Sequence, residues 1–234
     1  MSASPSPLLP LGLPLGLPPL PIDPLLPAIV DSLRAQPNLV IAAPPGAGKT
    51  TRVPHALLSL ISDGDIVVLE PRRIAAQLSA LRVAEERGEP LGQTIGVQLR
   101  FESIVSAATR LRFVTEGVLL RQLASDPKLS TVKMVVFDEF HERHYQTDLL
   151  LALLRRLQQT IRPELRLCAM SATLHTAKVA AFLCNCPIIE SQGKAFPVDI
   201  DHLPLPTDEP LPQQVRRAVR EAVQKDQASS SEPP

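Results

Sequence analysis

The sequence predicts a three-layer α/β/α domain, in which helices cover both faces of a mostly parallel sheet. Short apolar, β-branched runs recur at residues 39–43, 66–69, 111–114, 134–137 and 165–170, with a weaker run at 188–189. Stretches with apolar residues at helical spacing lie between them, at about 49–61, 73–87, 116–125, 146–159 and 175–185. Such an alternation of buried strands and helices is typical of a parallel sheet covered on both faces.

A further helix is predicted before the first strand. Asp23 and Pro24 are typical of a helix start, with Asp23 as the N-cap and Pro24 at the first helical position. Apolar residues then follow helical spacing as far as Leu33, and Pro37 ends the helix. Upstream, residues 1–19 are rich in Pro and Leu, and the first 33 residues contain no Lys or Arg. We therefore expect a flexible, polyproline-like leader and neither a signal sequence nor a membrane span.

Length and composition indicate one main domain. The 234 residues, 44% of them hydrophobic, can bury one core of ordinary domain size. We predict a disordered leader at 1–19, the domain at 20–204, and a linker with one helix at 205–234. That helix is predicted at 213–224 and is followed by a tail without large apolar residues, which we expect to be disordered.

Charge and cysteine content restrict the possible functions. Lys+Arg and Asp+Glu both total 24, so the basic excess of many nucleic-acid-binding proteins is absent and any such contact must be local. The three cysteines, Cys168, Cys184 and Cys186, do not form the pattern of a disulfide framework. Reduced thiols and a cytoplasmic location are therefore expected.

Residues 43–50, Ala-Pro-Pro-Gly-Ala-Gly-Lys-Thr, have the spacing of the phosphate-binding loop G-x-x-x-x-G-K-[ST], with Ala43 replacing the first glycine. The glycines let backbone N–H groups turn toward phosphate oxygens, Lys49 reaches the β- and γ-phosphates, and the Thr50 hydroxyl binds Mg²⁺. A nucleoside triphosphate with Mg²⁺ is therefore the expected ligand. The residues expected to bind the nucleotide are Pro45, Gly46, Ala47, Gly48, Lys49, Thr50 and Thr51.

A second motif, Val-Val-Phe-Asp-Glu-Phe-His at 135–141, is a buried strand that ends in two adjacent carboxylates. In a parallel sheet, ligands bind at the carboxyl ends of the strands, where the phosphate loop also lies. Downstream of such a loop, Asp138 is expected to hold the hydration shell of Mg²⁺ together with Thr50. Glu139 is expected to orient and deprotonate the attacking water.

Six segments in order resemble the DEAH-box superfamily-2 RNA helicases over residues 20–204. They are Ala-Pro-Pro-Gly-Ala-Gly-Lys-Thr-Thr-Arg-Val-Pro, Leu-Glu-Pro-Arg-Arg-Ile-Ala-Ala, Arg-Phe-Glu, Val-Thr-Glu-Gly, Asp-Glu-Phe-His-Glu-Arg and Met-Ser-Ala-Thr-Leu. The resemblance is greatest to the bacterial HrpB-type group, of which Phe140 within Asp-Glu-Phe-His is typical. It implies a RecA-like domain and an ATP-dependent RNA helicase. Residues 96–102 also resemble a family segment, but physical chemistry alone predicts no structure for them.

The resemblance also implies roles for individual residues. Contact with the RNA backbone is implied for Pro71, Arg72 and Arg73, and for Thr115, Glu116 and Gly117. Coupling of γ-phosphate loss to domain movement is implied for Ser171, Ala172 and Thr173, with His141 as a hydrogen-bond relay. Arg82 matches an arginine that stacks on adenine, which a planar guanidinium can do without strong base preference. The expected catalytic set is Glu139, Asp138, Lys49 and His141.

A motor of this family also requires a second RecA-like domain, whose Q-x-x-G-R-x-G-R segment brings arginines to the γ-phosphate. That pattern does not occur in the 234 residues. Arg216, Arg217 and Arg220 lie on the predicted amphipathic helix without the glycines, and we interpret them as surface charge. The resemblance implies that this helix is the first of a truncated second RecA-like domain. We therefore expect the chain to bind Mg-ATP and RNA but to hydrolyse ATP slowly until it is joined to a second domain.

Two alternatives remain open from the sequence. The chain could be a phosphate-loop ATPase acting on DNA, although the Pro-Arg-Arg and Thr-Glu-Gly segments favour RNA. It could also be a catalytically incomplete module that binds nucleotide, RNA or a partner through the face where a second domain docks.

Overall fold

The computed structural model describes residues 17–172, 176–191, 200, 202 and 209–229. Eight strands in this part form one sheet in the order β4-β3-β5-β2-β6-β7-β1-β8. Neighbouring strands are parallel except for β3 and β4, which are antiparallel. The strands are β1 Asn38–Ala42, β2 Asp65–Leu69, β3 Ile95–Gln98, β4 Ser103–Ile104, β5 Leu111–Val114, β6 Val132–Phe137, β7 Arg166–Ser171 and β8 Ile188–Glu190. The predicted α/β class is confirmed.

The described helices are α1 Leu26–Ala35, α2 Lys49–Leu57, α3 Arg73–Arg87, α4 Glu116–Ser125, α5 Tyr145–Thr160, α6 Thr176–Phe182 and α7 Leu211–Ser229. Five of them, α2 to α6, lie between strands as predicted, while α1 precedes β1 and α7 follows β8. The bounds of α3 and α4 agree with the prediction. However, α2 ends before residue 61, because backbone bonds beyond Leu57 join residues three apart, as from Ser59 N to Ala56 O at 3.2 Å.

The start of the first helix differs from the prediction. Asp23–Leu25 is a 3₁₀ turn, and α1 begins at Leu26. The Asp23 carboxylate is not an N-cap, because it accepts a hydrogen bond from the upstream Leu20 N–H at 2.8 Å and lies 3.3 Å from Arg52 Nε. The Asp23 carboxylate thus joins the segment before α1 to Arg52 of α2 instead of capping α1.

Two hydrophobic cores lie on opposite faces of the sheet, and the alternation of side chains along β2 shows how they form. Ile66 and Val68 point to the face covered by α1, α2 and α3, whereas Val67 and Leu69 point to the face covered by α4 and α5. All four are essentially fully buried, which explains why the sequence shows continuous apolar runs at the strands.

The strands β3 and β4 were not predicted. They have only four and two residues, and β3 contains Gly and Gln, so their apolar pattern is weak. Gly96 is required there, since a Cβ at this position would lie 2.8 Å from the Ile104 carbonyl oxygen. The unexplained segment 96–102 therefore runs along β3 and into the turn toward β4.

The ends of the chain are described in part. Residues 1–16 of the predicted leader lie outside the described residues, but the Pro18 carbonyl already accepts a hydrogen bond from Arg52 at 3.1 Å. Contacts divide the chain into units 1–195 and 196–234, and α7 belongs to the second. The predicted boundary at residue 204 falls among residues that are mostly outside the described part and stays a prediction.

The tail prediction was partly wrong. The helix α7 continues to Ser229, five residues beyond the predicted end, and residues 225–229 contain neither Gly nor Pro to interrupt it. Residues 230–234 lie outside the described part. Within the described residues, no helix combines the length and the apolar character that a membrane span requires.

Candidate active site

The phosphate-loop residues connect β1 to α2, as the sequence predicts. Gly46 and Gly48 have φ of 77° and 93°, which lie in the left-handed region. A Cβ on Gly48 would lie 2.6 Å from the Leu20 side chain, so a larger residue would have to displace Leu20 at a φ that favours glycine. The buried Lys49 ammonium donates to the carbonyl oxygens of Ala43 at 2.7 Å and Pro44 at 3.2 Å. Lys49 is thus held against its own loop at the carboxyl edge of the sheet.

Asp138 meets this loop from the end of β6. The Thr50 hydroxyl donates to its carboxylate at 2.5 Å, and its other oxygen accepts from the Glu139 N–H at 2.8 Å. Burial raises the pKa of Asp138, while the hydrogen bonds from Thr50 and Glu139 and the charge of Lys49 oppose that rise. A hydroxyl and a carboxylate side by side, both oxygen donors, suit Mg²⁺.

A third carboxyl, Glu70, was missed in the sequence. It follows β2, which lies next to β6, and only 2% of it is exposed. Burial and the neighbouring Asp138 raise the pKa of Glu70 to about 9, and a hydrogen bond from Ser79 opposes the rise. The sequence did contain a signal for Glu70 as a site residue: it immediately follows a predicted strand, as Asp138 does.

Glu139 begins a 3₁₀ turn, Phe140–Glu142, in a left-handed conformation with φ of 45°. Left-handed backbone is strained for a non-glycine residue and often marks functional turns. The Arg143 that ends the turn has φ of 52° and is fixed by two hydrogen bonds to Asp148. Burial and the Asp138 charge raise the pKa of Glu139, while Lys49 and His141 lower it. The turn therefore holds a half-buried carboxylate beside the phosphate loop.

His141 lies between this turn and the segment after β7. Its Nδ1 is 3.2 Å from the Glu139 carboxylate and 3.4 Å from the Ala172 backbone nitrogen. Nδ1 can donate to Glu139 in one tautomer or accept from the Ala172 N–H in the other, so a given tautomer makes only one of the two hydrogen bonds. The structure places His141 beside Ala172, which directly follows Ser171 at the end of β7. Thr173 lies outside the described residues.

The two segments expected to contact RNA lie side by side, because β2 and β5 are parallel neighbours. Arg72 and Arg73 are exposed at the start of α3, and the Thr115–Gly117 segment starts α4. Arg72 forms an ion pair with Glu142, an unpredicted partner from the turn that Glu139 begins. This edge is thus connected to the turn at Glu139.

Glu116 differs from its neighbours in the second segment. Its buried carboxylate accepts from the Thr147 hydroxyl at 3.0 Å and lies 3.3 Å from His144 Nδ1. Its side chain therefore positions α4 against α5, and any RNA contact of this segment falls to Thr115 and Gly117.

Arg82 lies on α3 and lines a cleft of about 430 Å³ that also includes Thr50, Thr51, Glu70 and Glu139. Residues of the phosphate loop, of the acidic strand ends and the arginine to which the family resemblance gives base stacking therefore line the same cleft. Roles for these residues remain predictions, but the structure places them around one space.

Comparison with known proteins identifies the family. A sequence profile described as DEAD/DEAH box helicase matches residues 26–182. The chain is 42% identical over 211 residues to the ATP-dependent RNA helicase HrpB of Escherichia coli (strain K12). This alignment covers 90% of this chain and 26% of that protein. It is 40% identical over 185 residues to the probable ATP-dependent RNA helicase DHR2 of Saccharomyces cerevisiae, covering 77% of this chain and 25% of that protein. The chain thus spans about a quarter of the length of these relatives.

A solved structure gives the same result. The crystal structure of the Escherichia coli DEAH/RHA helicase HrpB superposes with a TM-score of 0.81 at 42% identity, covering 88% of this chain and 27% of that chain. The profile match and the superposition agree on the fold and on the region that contains the phosphate loop and the acidic strand end. The chain belongs to the DEAD/DEAH box helicase family.

Proposed function

We propose that this chain is the nucleotide-binding part of an ATP-dependent RNA helicase of the DEAH type. One observation carries the proposal: Lys49 and Thr50 from one strand end meet Asp138 from another, with the Thr50 hydroxyl 2.5 Å from the Asp138 carboxylate. A buried ammonium beside paired oxygen donors in a phosphate loop is the arrangement that Mg-ATP requires. The similarity to two named RNA helicases supports the choice of reaction.

In this proposal Lys49 exchanges its contacts with the Ala43 and Pro44 carbonyls for oxygens of the β- and γ-phosphates. Thr50 and Asp138 hold Mg²⁺, largely through water, which fits a hard cation that keeps much of its hydration shell. The ion, when bound, neutralises negative charge on the phosphates. Pro45, Gly46, Ala47, Gly48 and Thr51 complete the loop around the phosphates.

Glu139 is the proposed general base. A carboxylate with a raised pKa accepts a proton from water more readily near neutral pH than an ordinary one does. Burial and the Asp138 charge provide that rise, and the left-handed turn fixes the position of the carboxylate. His141 can bond to either Glu139 or Ala172. In this proposal it relays the loss of the γ-phosphate to Ser171, Ala172 and Thr173.

RNA is the proposed partner at the edge formed by Pro71, Arg72, Arg73, Thr115 and Gly117. Arginine guanidinium groups pair well with phosphate oxygens, and hydroxyl and backbone N–H donors contact phosphates without reading the bases. With no net charge on the chain, the affinity of this edge alone is expected to be weak and to decrease with salt.

The chain alone is proposed to hydrolyse ATP slowly. Arginines that contact the γ-phosphate from a second domain account for several powers of ten in rate in related phosphoryl-transfer systems. RNA-stimulated hydrolysis at ordinary helicase rates by the 234-residue chain would disprove this part of the proposal.

Calorimetric titration of the chain with Mg-ATP tests the nucleotide site. Lys49→Ala is expected to weaken binding by about 100-fold, since it removes the charge that contacts two phosphates. Lys128→Ala is the matched control, because Lys128 is exposed in the loop before β6, at the opposite edge of the sheet. Unchanged affinity in Lys49→Ala would exclude the phosphate-loop assignment.

A further inference from the structure

The carboxylate of Glu86 on α3 lies between two arginines. One oxygen accepts from Arg52 Nη1 at 2.7 Å, and the other accepts from Arg82 Nε at 2.9 Å. Only 3% of the Glu86 side chain is exposed, so water hardly competes for either bond. Charge-assisted hydrogen bonds in such surroundings hold their partners in a fixed geometry.

Arg52 fixes Glu86 from the protein interior. It lies on α2, three residues after Lys49, and 1% of it is exposed. Its guanidinium also donates to the Pro18 carbonyl at 3.1 Å and lies 3.3 Å from the Asp23 carboxylate. With partners on three sides, Arg52 cannot move without disrupting the start of the domain, and Glu86 is fixed with it.

Arg82 is the exposed member of the group. Its side chain is 53% exposed and lines the cleft that contains Thr50 and Thr51. The bond at Nε uses one edge of the guanidinium, so its flat faces remain able to stack on a planar ring. An unrestrained arginine loses rotamer entropy when it is immobilised, and the bond to Glu86 imposes part of that loss before a ligand binds.

We propose that Glu86 is a positioning residue for the base of the bound nucleotide: it orients the Arg82 guanidinium over the cleft and is itself oriented by the buried Arg52. This inference rests on the proposed nucleotide-binding function. The ligand class is a planar heterocycle attached to a triphosphate, and purines of different hydrogen-bonding pattern gain equally from the stacking.

A purely structural ion pair between α2 and α3 makes a different prediction. Loss of such a pair would disturb the phosphate loop at the start of α2 and would weaken every phosphate ligand equally. Loss of the positioning role affects only ligands that carry a base. Comparison of Mg-ATP and Mg-GTP with Mg-tripolyphosphate, which has no base, separates the two roles.

Equilibrium titration of the 234-residue chain and of Glu86→Gln with these three ligands is the test. Glu86→Gln is expected to bind Mg-ATP and Mg-GTP three- to tenfold more weakly and Mg-tripolyphosphate unchanged. Glu85→Gln is the matched control, since Glu85 is an exposed neighbour on the same helix, and it is expected to change none of the three affinities. Equal weakening of all three ligands by Glu86→Gln would overturn the positioning role.

Arg82→Ala keeps the proposal testable if Glu86→Gln fails to fold, because the Arg82 side chain is largely exposed. It is expected to weaken Mg-ATP but not Mg-tripolyphosphate, and Glu86→Gln is expected to add no further loss in the Arg82→Ala background. Additive losses would refute action through Arg82. If the unchanged chain bound neither Mg-ATP nor Mg-tripolyphosphate, the proposed nucleotide function itself would be wrong.

Discussion

Two parts of the carboxyl edge of the sheet are built in opposite ways. The phosphate edge, comprising Lys49, Thr50, Glu70 and Asp138, is largely buried and its side chains are bonded within the protein. The arginine edge, comprising Arg72, Arg73, Thr115 and Gly117, follows β2 and its outer neighbour β5, and its Arg72 side chain is 70% exposed.

The difference indicates how each part binds. Burial at the phosphate edge removes competing water and fixes the groups, so their geometry exists before a ligand arrives and their pKa values shift. Exposure at the arginine edge leaves ion pairs weak and exchangeable, so a phosphate can replace Glu142 as the partner of Arg72. Substitutions should therefore have large, specific effects at the first edge and small, salt-dependent effects at the second.

The largest expected effect is at Gly48, which supports the backbone of the phosphate edge. Gly48→Ala places a Cβ against Leu20 and Ile22 at a φ of 93°, and it is expected to lower the free energy of unfolding by about 3 kcal/mol. Nucleotide affinity should also fall at least tenfold. Urea unfolding and calorimetric titration measure the two effects.

Gly88→Ala provides the control for this comparison. Gly88 has a similar φ of 71°, but nothing lies within 4 Å of a Cβ at that position. It is expected to cost about 1 kcal/mol of stability, from backbone strain alone, and to leave nucleotide affinity unchanged. Equal costs for the two variants would show that the contact with Leu20 is unimportant.

The second effect concerns Glu70 and pH. Its folded-state pKa of about 9 lies above the ordinary value of 4.5, so the folded protein keeps a proton that the unfolded chain releases. Stability from this group is therefore complete below about pH 4.5 and decreases as the pH rises toward about 9. Glu70→Gln should remove that decrease and stabilise the chain at pH 8 by about 2 kcal/mol.

Urea unfolding at pH 5, 6.5 and 8, with divalent cations chelated, measures this difference. The exposed Glu85→Gln should show the same pH dependence as the unchanged chain. If Glu70→Gln retained the full decrease between pH 5 and 8, burial at the phosphate edge would not be the cause.

The smallest effect is expected at the arginine edge. Glu142→Gln removes the carboxylate that pairs with Arg72 and should tighten binding of single-stranded RNA about twofold to threefold, more at low salt than at high salt. Fluorescence anisotropy with a labelled oligonucleotide at two salt concentrations measures the change. Glu164→Gln, which breaks the ion pair with Arg162, should have no effect. A gain that persisted in an Arg72→Ala background would contradict competition for Arg72.

The strands and helices that carry these two edges were largely predictable. Continuous apolar runs marked β1, β2, β5, β6 and β7, because strands buried on both faces need them. The short strands β3 and β4 were missed because so few residues produce no clear pattern. Asp23 was assigned as an N-cap because local sequence cannot show that its carboxylate faces Arg52 across the fold.

The candidate site likewise contains residues that the sequence could identify and residues that it could not. Lys49, Thr50, Asp138 and Glu139 could be identified because phosphate binding needs a local backbone shape and carboxylates at a strand end. Glu70 was not identified, because its role depends on Asp138, which follows the neighbouring strand β6 and is distant in sequence. Glu116 was grouped with Thr115 and Gly117, although its buried carboxylate accepts a hydrogen bond from Thr147, 31 residues further along the chain.

What the sequence determined by itself was the α/β class, the phosphate loop and the acidic strand end, since each depends on residues close together in the chain. Tertiary structure alone decided which distant groups meet: Thr50 with Asp138, 88 residues apart, and Arg52 with Glu86, 34 residues apart. The physical reason is that strand order and helix docking set these contacts, and the resulting burial then sets their charge and mobility.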